Sequence, residues 1–174
     1  MMGYMLLPFT HGIDNAAIEQ AVSLAHDHSA ILVPLAIICV SGRQNSARLE
    51  HVQQAKDFLV LVQQKASKAG VPVEAMERYT CEEVEVIQEV ALKLECFGTL
   101  VFARQQKGVL LSANTIQRLM QGRKRPCFLS SLPAQSTIIT RAQWPFRKRA
   151  QVGTLSSMYE KMYVSQQMRS VIEV

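Results

Sequence analysis

The stretch from Ala103 to Ser112 gathers the side chains best suited to chemistry in this chain. Arg104 and Lys107 are cations separated by Gln105 and Gln106, Gly108 is the lone glycine, and Ser112 and Asn114 stand where the next helical pattern opens. Open α/β folds take their ligands at the carboxyl end of the sheet. There, these cations can hold a phosphate group by charge. Holding it by backbone N–H groups at a helix N-terminus calls for two or three glycines, so that the chain can close on the oxygens. The alternative makes Arg104 and Lys107 solvated loop cations, and Ser112 and Asn114 helix caps.

Other constellations say less. Thr10 and His11 follow the first apolar run, without an identified acid or nucleophile to complete a catalytic set. His26 and His28 are two apart, which on a helix points them in different directions, so no shared metal is expected. No G-x-S-x-G, P-loop or HExxH pattern occurs. The expectation is a protein without catalytic residues and without a metal. Cys39, Cys81, Cys96 and Cys127 are dispersed, with no CxxC spacing. That suits reduced, packed thiols in a cytoplasmic protein better than a disulfide framework or a zinc site.

The elements that must position these residues alternate along the first ~130 positions. Apolar runs at Met5–Phe9, Ala30–Val40 and Gly98–Ala103 read as strands, the second too continuously apolar for a sheet with one wet face. Pro34 inside that run predicts a strand entrance or bulge. Val71–Tyr79 reads as an edge strand and Pro126–Leu132 as a fifth strand. Helical spacing recurs after Asp14 or Asn15, over 46–69 up to Gly70, after a predicted capping box at Thr80–Glu83, and over Ile116–Met120 up to Gly122. Strands alternating with helices build an α/β three-layer sandwich with a five-stranded, mostly parallel sheet.

The chain has 174 residues, 48% hydrophobic and 19% charged, the composition of a globular protein. Its net charge of +5 is uneven. Residues 1–122 hold ten Lys/Arg against twelve Asp/Glu, whereas 123–174 hold nine against two. The basic triplets Arg123–Arg125 and Arg147–Arg149, with Trp144 and Phe146, raise nucleic acid or anionic lipid as partners. The competing reading packs these aromatics on the domain or on a second copy of it. A possible strand at Ser136–Thr140 and an amphipathic pattern over 157–172 belong to the same extension. Neither a membrane span nor a signal peptide is expected.

The ordered set Leu6-Leu7-Pro8-Phe9-Thr10, Lys68-Ala69-Gly70-Val71-Pro72-Val73, Cys81 to Ala91, Thr99 to Ala103 and Arg125-Pro126-Cys127-Phe128-Leu129 resembles the universal stress protein family. The resemblance implies a flavodoxin-like, adenine nucleotide alpha hydrolase-like domain with strand order 3-2-1-4-5 over residues 1–133, followed by the basic extension 134–174. It also implies homodimers, often through the edge near the fifth strand. Nucleotide-binding members place an aspartate about where Thr10 stands and carry a G-x-x-G-x9-G-[ST] loop after the fourth strand. Here that loop begins at Ala103, has Gln106 near the second glycine, and reaches Ser112 several residues too soon. The expectation is therefore a non-catalytic regulatory or interaction module, acting as a homodimer or with another protein, without a cofactor. Recruitment by nucleic acid or membrane is not expected. The competing reading is an ATP- or AMP-binding sensor using Thr10, Ala103, Arg104, Gln106, Lys107, Gly108, Ser112 and Asn114.

Overall fold

The computed structural model describes residues 3–41, 46–105, 107–122 and 126–133. Gln106, both basic triplets, the 136–140 strand, Trp144, Phe146 and the 157–172 helix lie outside the described residues. The elements run β1 (Tyr4–Phe9), α1 (Asn15–Asp27), β2 (Ile31–Ile38), β3 (Val40–Ser41), β4 (Ser46–Ala47), α2 (Leu49–Lys68), β5 (Met76–Tyr79), α3 (Glu83–Lys93), β6 (Gly98–Arg104), β7 (Lys107–Val109), α4 (Ala113–Gln121) and β8 (Cys127–Ser131). The five parallel strands lie in the order β5-β2-β1-β6-β8, the expected 3-2-1-4-5 arrangement. β3 and β4 form a separate antiparallel ribbon, and β7 is an antiparallel addition to β6.

Pleating sorts the side chains of the central strands to two faces. Met5, Leu7, Phe9, Leu32, Ala36, Ile38, Leu100 and Phe102 pack under α1 and α2, with Phe9 stacked on Phe58 of α2 at 4.3 Å. Leu6, Val33, Leu35, Ile37 and Val101 pack under α3 and α4. Strands covered on both faces explain why Ile31–Ile38 reads as one apolar run.

Two prolines sit inside this sheet without bulges, because each turns its missing N–H toward a break in pairing. On β2, Leu32 donates to Pro72 and Ile38 accepts from Thr80, so alternate residues of β2 address the β5 side. Pro34 falls in that series, between the Leu32–Val73 bridge and the Leu35–Met76 start of β5. Its other edge stays in register with Leu7 of β1. The predicted entrance or bulge at Pro34 is thus replaced by a regular strand. Pro8 obeys the same rule on β1: it addresses the β6 side, where pairing ends at Leu6–Thr99.

Helix starts follow side-chain oxygens at two places. Asp14 caps α1 by accepting from the Ala17 N–H at 3.0 Å, and Ser112 caps α4 by accepting from the Thr115 N–H at 3.0 Å. The predicted capping box at Thr80–Glu83 does not form. Thr80 Oγ1 instead accepts from the Glu82 N–H, and α3 begins at Glu83, whose carboxylate turns away to Thr115 and Cys39.

Candidate functional site

The strand order reverses direction between β1 and β6, and that switch point is where an open α/β sheet leaves a crevice for ligands. Pro8 cannot donate to β6, so the ladder stops there and the two strands part toward their carboxyl ends. Phe102 and Ala103 pair with β8 on one edge and with β7 on the other, which places β7 on the β1 side of β6. The β6–β7 hairpin therefore folds back into the gap. Its exit residue Leu110 turns its carbonyl to β1, accepting from the Thr10 N–H at 2.8 Å and the His11 N–H at 3.4 Å. Thr10 Oγ1 points to the same carbonyl at 3.4 Å and lies 2.8 Å from His11 Nδ1.

Leu110 and Leu111 close the gap from both sides. Leu110 joins the core under α1 and α2, and Leu111 joins the core under α3 and α4; both are buried. Leu110 has φ of +68°, a left-handed conformation that costs a branched residue about 1–2 kcal/mol. Burial of two leucines, roughly 1.5–3 kcal/mol each, outweighs that strain. Gly108 serves this crossing. A Cβ there would stand 2.2 Å from the Leu111 carbonyl oxygen and 2.7 Å from the Ala113 nitrogen. The lone glycine of the loop admits the chain's own backbone, the kind of close approach that glycines give a phosphate in a glycine-rich loop.

Arg104 is committed within the domain. Its guanidinium bonds both carboxylate oxygens of Asp14, and its Nε donates to the Pro133 carbonyl at 3.0 Å. The two side chains are 15% and 10% exposed. Burial alone would raise the Asp14 carboxyl. Hydrogen bonds from Arg104 and the Ala17 N–H, with the Arg104 charge, outweigh it and hold the group below its ordinary range. Ala103 is half-buried, and its carbonyl accepts from the Leu132 N–H at 2.8 Å. Lys107 is exposed, with no ion-pair partner among the described residues. Ser112 caps α4, and Asn114 lies exposed in its first turn. Thr10, Ala103, Arg104, Lys107, Gly108 and Ser112 are thus brought to one end of the sheet, where the side chains of Thr10, Arg104 and Ser112 are engaged with His11, Asp14, Thr115 and nearby backbone.

The fold has solved counterparts. A universal stress protein from Archaeoglobus fulgidus superposes with a TM-score of 0.60 at 14% identity, over 74% of this chain and 93% of that one. The protein has the universal stress protein fold. The Archaeoglobus fulgidus protein in complex with dAMP gives a TM-score of 0.57 at 13% identity, over 74% and 97% of the two chains. A universal stress protein in complex with cAMP gives 0.51 at 14% identity, over 74% and 96%. No protein-family model and no curated protein matches the sequence. Against that universal stress protein frame, β7 is an addition to the five-strand order, and it lies at the switch point.

Sequence reasoning missed two participants. Asp14 is recognisable as a cap but not as the partner of Arg104, ninety residues away. Leu110 carries no polar side chain, and it acts through its carbonyl. The hairpin that pairs Arg104 with Lys107 lacks the Asn-Gly or Asp-Gly signature that marks such turns, although Gln105 adopts φ of +48°. Among the described residues, no three His, Cys, Asp or Glu side chains form a metal cluster, and no helix is long and apolar enough to cross a membrane.

Proposed function

We propose that this protein is a non-catalytic, universal-stress-protein-like interaction module that does not bind adenine nucleotides. The hydrogen bond from the Thr10 N–H to the Leu110 carbonyl carries the reading, because it fills the switch-point crevice with the chain's own backbone. The commitment of Arg104 to Asp14 supports it, since the best-placed cation for a phosphate is already neutralised. The module works as a homodimer or with another protein. β8 is the last strand on its side of the described sheet, with Phe128 and Leu129 half-buried on it. Universal stress proteins commonly pair along that edge, which is the basis for placing the contact there.

Calorimetric titration of the full chain with ATP and AMP, with and without magnesium, tests the reading. No saturable heat is expected. Two neighbours of the same fold were solved with dAMP and cAMP. Micromolar binding would therefore favour the second reading, an adenine-nucleotide sensor. A mass measurement in solution tests the dimer, which a monomeric mass contradicts.

A further inference from the structure

At the carboxyl end of the sheet, away from the hairpin, two cysteines follow the ends of adjacent strands. β2 and β5 run parallel with Ile38 opposite Tyr79, and the Thr80 N–H continues the pairing to the Ile38 carbonyl at 3.1 Å. Cys39 follows Ile38, and Cys81 follows Thr80. Thr80 Oγ1 accepts from the Glu82 N–H and turns the chain at Cys81, so Cys81 lies between Thr80, which bonds Ile38, and Glu83, which bonds Cys39. Cys39 is raised above its ordinary range, first by burial, then by Glu83 and by the Cys81 thiol. Cys81 is exposed and Cys39 half-buried, which gives the pair an outer and an inner member.

A carboxylate serves the inner member. Cys39 Sγ donates to Glu83 Oε1 at 3.6 Å, while Glu83 Oε2 accepts from Thr115 Oγ1 at 2.7 Å. Thr115 Oγ1 in turn lies 2.7 Å from Ser112 Oγ, the cap of α4. The other cysteines are placed differently. Cys96 is buried, and Cys127 is pushed up to about 11 by burial.

We propose that Cys39 and Cys81 form a redox-modification site, in which a peroxide closes a disulfide tying the end of β2 to the segment leading into α3. The exposed Cys81 thiol gives up its proton to solvent and its sulfur attacks one peroxide oxygen; the O–O bond breaks, Cys81 becomes a sulfenic acid, and the departing hydroxide regains a proton and leaves as water. Cys39 passes its proton to Glu83 and attacks the Cys81 sulfur. The S–S bond forms as the S–O bond breaks, and the departing hydroxide takes the proton from Glu83 to leave as a second water. Two thiols and one hydrogen peroxide thus give one disulfide and two waters. The closed form removes the Cys39 hydrogen bond from Glu83, the group that holds Thr115 at the start of α4. The site is independent of whether the crevice binds a nucleotide.

Treating the full-length reduced protein with hydrogen peroxide, trapping residual thiols by alkylation and mapping peptides by mass spectrometry tests this. The expected product links the Cys39 and Cys81 peptides with loss of two hydrogens, reopens with dithiothreitol, and is absent from Cys39→Ser and Cys81→Ser. In Cys39→Ser, Cys81 should proceed to sulfinic acid at lower peroxide than in the unmodified chain. Conversion of wild-type Cys81 to sulfinic acid while Cys39 remains alkylatable would overturn the proposal. A dominant disulfide between any other pair would do so as well.

Discussion

Arg104, the last residue of β6, bonds both carboxylate oxygens of Asp14, the cap of α1, so one ion pair fastens the hairpin arm to the helix that follows β1. The Arg104 and Asp14 side chains are only 15% and 10% exposed. The pair therefore behaves more like a buried bridge than a surface one. Arg104→Ala would leave the Asp14 carboxylate without its cation, and a loss of about 2–4 kcal/mol is expected in urea unfolding. Arg104→Lys should recover only part of it, because an ammonium cannot reproduce the two-pronged contact.

The same pair sets an acid limit. The folded Asp14 carboxyl titrates below its ordinary value of 3.8, so its contribution is complete above that pH. As pH falls through 3.8 the unfolded chain takes up the proton first, and the contribution disappears as pH drops through the folded value. Unfolding free energy measured from pH 7 to pH 3 should fall at the acid end. Asp14→Asn should start lower and fall less steeply; an unchanged slope would contradict the assignment.

Gly108 gives a steric test of the crossing. Gly108→Ala would place a methyl group 2.2 Å from the Leu111 carbonyl oxygen, so the backbone of 111–113 must move. A loss of about 1–3 kcal/mol is expected, with faster amide exchange at Thr10 as the Leu110 carbonyl withdraws. Wild-type stability in this variant would mean that the crossing is not tight.

Thr10→Asp supplies the residue type that nucleotide-binding universal stress proteins carry at about this point. Here its carboxylate would face the Leu110 carbonyl, an acceptor against an acceptor. The expected result is destabilisation by about 1–3 kcal/mol with no ATP binding by calorimetry. Gain of ATP binding would show that a single side chain, rather than the filled crevice, decides the matter.

The layers were readable from particular residues, whereas the site was not. The continuous run Ile31–Ile38 announces a strand covered on both faces, and Gly70 and Gly122 close their helices where the periodicity ends. Pro34 misleads because sequence shows a missing donor without showing that the donor would have faced a gap in β5. Glu83 misleads likewise: its spacing from Thr80 suits a capping box, but Thr115 and Cys39 offer it partners across the fold. The Arg104–Asp14 and Thr10–Leu110 contacts join segments 90 and 100 residues apart, and no local pattern encodes them. What sequence does carry is the glycine deficit between Ala103 and Ser112, whose physical meaning is a chain turned back on itself.

The backbone amide of Thr10 reports on the crevice most directly. In a two-dimensional amide spectrum of the full-length protein titrated with ATP to millimolar concentration, that resonance should stay in place and exchange slowly with solvent, held by Leu110. A saturable shift of the Thr10 signal, accompanied by loss of its exchange protection, would contradict a self-filled switch point.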